Sequence, residues 1–131
     1  MGLFLTQTYA SGGWSGTEPV AAPFLTVDIH DSDIATISYE PGPQSGGRVH
    51  LGYQPRDYFE DPSASGEVDL DEQAAGLAAW ALVATGVSVE PDAIRALLAE
   101  DGAEEPLDDF VEDTAGRLFE MLGLPLLPPT P

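Results

Sequence analysis

Between residues 24 and 40 the chain alternates apolar and polar side chains in two runs, with Asp31-Ser32-Asp33 between them. Alternation with a period of two belongs to strands that bury one face. If the three residues form the loop of a hairpin, Ile29 faces Ala35, Val27 faces Ile37 and Leu25 faces Tyr39. The same register sets Asp28 opposite Thr36 and Thr26 opposite Ser38, so one face is apolar and the other polar. A two-residue loop mixes the faces, and three is the better reading.

Strands are also expected at Leu3 to Tyr9 and Arg48 to Tyr53, separated from this pair by turns rich in Gly, Pro and Ser. After residue 70 the period changes. Asp71 to Ala84 is apolar nearly all round, which suits a central helix enclosed by other elements and stopped at Gly86. A second helix begins at Pro91, buries Ile94, Leu97 and Leu98, and ends by Gly102. A third begins at Pro106, repeats Leu107, Phe110, Val111, Thr114, Leu118 and Met121 at helical spacing, and closes at Gly123. The proline-rich tail over 124–131 cannot be helical and either packs as an extended segment or stays free.

These readings predict an α+β fold, in which an antiparallel meander of about four strands leads into three helices packed on one face of the sheet. With 131 residues, 43% of them hydrophobic, one domain over 1–131 can bury a core unaided. The polar face of the sheet is left open to solvent in this reading.

Composition narrows the function classes. With no cysteine, thiolate zinc sites, thiol nucleophiles and disulfide scaffolds are excluded. No apolar run reaches the roughly 20 residues of a membrane span, and the first residues lack the basic start of a secretory signal, so a cytoplasmic protein is expected. Gly2 and Thr6 fit the permissive myristoylation pattern, but Leu3 and Leu5 are better explained as the inward face of an opening strand.

Charge is the strongest global signal: 23 acidic residues against 4 arginines and no lysine, net -19. Residues 1 to 55 carry five acids and one arginine, and residues 56 to 131 carry eighteen acids and three arginines. Such a surface repels nucleic acid and anionic membranes and attracts basic proteins or cations. Excess carboxylate also has plainer causes, among them solubility, salt adaptation and a genome that favours arginine over lysine.

The stretch Asp61 to Glu72 looks like a degenerate EF-hand loop: Asp61, Ser63, Ser65, Asp69 and Glu72 stand at oxygen-ligand places, with Gly66 at the turn. Two serines replace anionic ligands, and Pro55 leaves barely a turn for an entering helix. Asp69 as an N-cap, with Glu72 three residues on, explains the same residues without calcium.

His30 and His50 lie on the polar strand phase, where adjacent strands would bring them near Asp28 and Asp31 as a general-base or metal cluster. The plainer reading is two histidines on a solvated sheet face. No nucleophile elbow or phosphate loop occurs, and Ser45-Gly46-Gly47 lacks a strand-to-helix context. Trp14, in a glycine-rich loop, reads as a core plug in preference to a contact anchor, while Tyr53, Tyr58 and Phe59 suit either core or interface.

The reading that absorbs most of these features is a small acidic, non-catalytic protein-binding domain, of inhibitor or immunity type, that engages a basic partner through carboxylates. Its contact residues are expected to be Glu104, Glu105, Asp108, Asp109, Glu112 and Asp113. Glu60, Asp61, Asp69 and Asp71 form a second patch. The alternatives are the calcium loop and a small enzyme or ligand-binding sheet built on His30 and His50.

Overall fold

The computed structural model describes residues 4–10, 13–16, 22–40, 47–61, 69–99, 108 and 110–125. Five strands, β1 (Leu5–Ala10), β2 (Gly13–Ser15), β3 (Phe24–His30), β4 (Ile34–Glu40) and β5 (Gly47–Gly52), form one antiparallel sheet in the order β2-β1-β3-β4-β5. The β3–β4 hairpin has the three-residue register that the alternation predicts, from Phe24 opposite Glu40 to His30 opposite Ile34. Its loop turns through left-handed residues, Asp31 at φ 52° and Ser32 at φ 57°.

The strand count exceeds the expected four because β2 forms from residues read as a flexible loop. Trp14 gives this short edge strand its anchor: its ring packs on Tyr9 and Phe119, and its Nε1 donates to the Pro125 carbonyl at 2.9 Å. Such an edge needs an aromatic payload to be ordered, since three residues supply few ladder bonds. The tail thus starts by packing, with Leu124 buried beside it.

Alternation puts Leu25, Val27, Ile29, Ile37, Tyr39, Val49 and Leu51 on one face, all essentially inaccessible. Two helices cover it, α2 (Leu70–Ala84) and α4 (Val111–Leu122). Between them in sequence comes the short α3 (Pro91–Arg95), and a single turn, α1 (Pro55–Tyr58), follows β5. α2 is not enclosed all round: Ala74, Leu77, Trp80 and Ala81 are buried, whereas Leu82 and Val83 are exposed. A helix lying on a sheet buries one stripe, and excess apolar residues beyond that stripe face water.

α3 stops at Arg95, well before Gly102, yet Ile94, Leu97 and Leu98 are buried as expected. The chain after it runs beside β5, where Ala99 N–H donates to the His50 carbonyl at 2.8 Å and Gln54 Nε2 donates to the Ala99 carbonyl at 2.9 Å. Part of the free edge of β5 is satisfied in this way.

α4 starts at Val111, five residues after Pro106. Phe110 is extended (φ -124°, ψ 128°) and 55% exposed, so it leaves the apolar stripe it was expected to join. The Val111 N–H, one of the helix's orphan donors, goes to the Ser32 carbonyl at 2.8 Å. At the other end Gly123 closes the helix in the left-handed conformation, φ 82°. Among the described residues, no helix is long and apolar enough to cross a membrane.

Candidate functional site

The outer face of the sheet carries the polar residues of the alternation. Thr6, Asp28, Thr36 and His50 stand in one cross-strand row. Thr6 Oγ1 donates to Asp28 Oδ1 at 3.3 Å, and Thr36 Oγ1 lies 3.1 Å from His50 Nδ1. His50 is only 7% exposed, and burial, with Arg48 adding repulsion, lowers its pKa to about 4. The imidazole is therefore neutral near pH 7 and serves as a fixed polar partner for Thr36.

His30 and His50 do not form a cluster. β4 lies between their strands, so two strand spacings, roughly 10 Å, separate their backbones. His50 is also not the solvated histidine that the alternation suggested, and Ile34 on the same face is 2% exposed. The outer face is thus buried at His50 and Ile34, while α1 sets the Tyr58 ring 6.1 Å from His30.

His30, by contrast, is exposed and ringed by aromatics. Phe4 meets it edge-on at 5.1 Å and Phe59 at 5.4 Å between ring centres. Tyr58 in turn contacts Phe59 at 5.0 Å and Tyr53 at 5.6 Å. Phe4 is 63% exposed and Phe59 50%, an uncommon degree of exposure for side chains so well ordered by their neighbours.

The β3–β4 hairpin links this cluster to acids from three segments. Asp33 Oδ2 accepts from the Tyr58 hydroxyl at 2.8 Å, which, with burial and the nearby Asp31 carboxylate, raises the phenol's pKa. Ser32 Oγ donates to Glu112 Oε2 at 3.1 Å, drawing the first turn of α4, with exposed Asp113, to the same end of the sheet. Glu60, left-handed at φ 52°, and Asp61 follow Phe59 directly and are exposed. A Cβ on Gly52, which sits at φ 82°, would collide with the Asp33 carbonyl. Only glycine lets β5 end so close to the hairpin.

The acids singled out from sequence thus divide. Glu112 is bonded to the hairpin at Ser32, with exposed Asp113 next to it, and exposed Glu60 and Asp61 follow Phe59. Asp108 is engaged: Thr114 Oγ1 and Arg117 Nη2 both donate to its Oδ2 at 2.6 Å, and these bonds hold its carboxyl below the usual range. Asp69 caps α2, its Oδ1 accepting from Glu72 N–H at 3.0 Å, and Asp71 pairs with Arg95 at 2.7 Å. Glu104, Glu105 and Asp109 lie outside the described residues, as do Ser63 and Ser65 of the calcium-loop reading. Among the described residues, no group of three or more His, Asp or Glu side chains is placed to hold a metal ion.

Phe4 had escaped attention, although its place was legible: with Leu5 facing inward opposite Ile29, its neighbour must point outward. Phe59 falls on the exposed side of the core-or-interface choice, whereas Tyr53 and Tyr58 are half-buried. Chemically, aromatic faces beside carboxylates suit the binding of cations. The chain matches no protein-family model, no curated protein and no solved structure.

Proposed function

We propose that this protein is an acidic, non-catalytic binding domain that holds a basic protein partner against the hairpin end of its sheet, in a cytoplasmic setting. An inhibitor or immunity-type role is the most concrete form: carboxylates stand in for the anionic ligand of a cationic toxin or nucleic-acid enzyme and cover its site. The observation that carries the reading is that the β3–β4 hairpin, whose Asp33 accepts from Tyr58 beside the exposed Phe59 ring, also bonds the first turn of α4 through Ser32 and Glu112, while exposed Glu60 and Asp61 follow Phe59 in the chain. Acids scattered for solubility alone have no reason to surround an apolar contact patch. A net charge of -19 adds long-range attraction for such a partner.

The test is capture from the native lysate at low and high salt, with wild type and a triple neutralisation, Asp31→Asn, Glu60→Asn and Asp113→Asn. Asparagine tolerates the left-handed backbone of Asp31 and Glu60, so the fold is retained. The reading expects a basic protein, held by wild type at low salt and lost in the triple variant. Equal retention by both proteins contradicts it.

A further inference from the structure

The aromatic rings at the hairpin end narrow the chemistry of what docks there. Phe4 and Phe59 are held edge-on by His30, and Tyr58, fixed by its bond to Asp33, supports Phe59 from behind. The rings are thus presented ready for contact, with little side-chain entropy left to lose on binding. A purely apolar occupant would strip water from the exposed Glu60 carboxylate without pairing it. A second copy of the chain would bring the same carboxylates face to face, at a net charge of -19 on each side.

A guanidinium answers both parts of the surface. It stacks flat on an aromatic ring, is weakly hydrated for a cation, and donates in a fork to a carboxylate. A lysine ammonium is a compact, strongly hydrated point charge and makes no fork. We propose that the Phe4, His30 and Phe59 rings, with exposed Glu60 directly after Phe59 in the chain, seat an arginine-bearing segment of a basic protein. The inference rests on the reading above and deepens it by naming the recognised side chain.

The experiment is fluorescence anisotropy with a labelled arginine-rich peptide and a counterpart of equal length with lysine at every arginine. Wild type binds the arginine peptide more tightly. Replacing both exposed rings, Phe4→Ala with Phe59→Ala, weakens that peptide about fivefold while the lysine peptide changes by less than about twofold. Both rings are exposed, so circular dichroism and the urea midpoint confirm that the double variant folds. An equal loss for both peptides, or no loss for either, overturns the inference. So does self-association of wild type that the double variant abolishes, which makes a second copy the occupant. If the rings prove irrelevant while the triple asparagine variant still loses its basic partner, this inference fails and the proposed function stands.

Discussion

The Ser32 side chain donates to Glu112 at 3.1 Å while the carbonyl of the same residue accepts the Val111 N–H at 2.8 Å. One loop residue therefore clamps the first turn of α4 to the β3–β4 hairpin. The other carboxylate oxygen of Glu112 is buried without a partner, so the bond from Ser32 is what offsets the desolvation of that group. Ser32→Ala should lower unfolding stability by about 1 to 3 kcal/mol in urea titrations. Ser32→Gly loses the same bond but relaxes the left-handed backbone, and should fall by less. Equal costs would mean that the left-handed backbone adds no strain, and no cost in either variant would mean that the hydroxyl is immaterial. Charge reversal at Glu112 mixes folding with binding, which is why Asp113 is the better probe of the partner surface.

His50 makes stability depend on pH in a defined window. Its pKa is about 4 when folded and 6.5 as the ordinary value, so the unfolded chain binds the proton more readily. Its contribution is complete above about pH 6.5 and lost as pH falls towards 4, on the order of 3 kcal/mol at most. Asp108 also has a lowered pKa, but its contribution disappears only below the ordinary carboxylate range. The diagnostic comparison is the urea midpoint at several pH values for wild type and His50→Gln. The variant should lose the slope between pH 6.5 and 4; an unchanged slope assigns it to other groups.

Two glycines with nearly the same backbone should respond differently to alanine. Gly52 (φ 82°) has the Asp33 carbonyl where a Cβ would sit, and Gly86 (φ 74°) has nothing within 4 Å. Gly86→Ala should cost about 1 to 2 kcal/mol, the left-handed penalty alone. Gly52→Ala adds a backbone collision and should cost about 3 kcal/mol or more. Thermal unfolding of both variants checks the order.

α2 offers a contrast between burial and hydrophobicity. Leu77 is fully buried and Leu82 is 58% exposed. Leu77→Ala should destabilise by about 3 kcal/mol, whereas Leu82→Gln should stay within about 0.5 kcal/mol of wild type. A large loss at Leu82 would restore the enclosed helix that the composition of α2 suggests.

What was legible in the sequence was whatever local periodicity controls. The β3–β4 register followed from alternation because a one-residue slip would have turned Val27, Ile29 and Ile37 to solvent. The α2 cap at Asp69 and the stop of α4 at Gly123 are likewise local chemistry. Features set by distant partners were not legible. β2 depends on Trp14 reaching Phe119 and Pro125, and the start of α4 depends on the Ser32 carbonyl. The aromatic cluster joins the residue before β1, the end of β3 and the end of α1 with Phe59 after it, segments whose meeting no spacing encodes. His50 has a polar strand phase, but phase says nothing of what distant segments bury, and the side chain is 7% exposed.

The central claim is that a basic partner lands on the hairpin end and not on the acidic surface at large. Amide chemical shifts of the labelled protein, followed during titration with the arginine-rich peptide, test it most directly. The expected result is a compact set of perturbed amides at residues 28–33, 58–61 and 111–113, erased by the triple asparagine variant. Shifts spread evenly over the acidic surface, or centred on the start of α2 at Asp69 and Asp71, would contradict it.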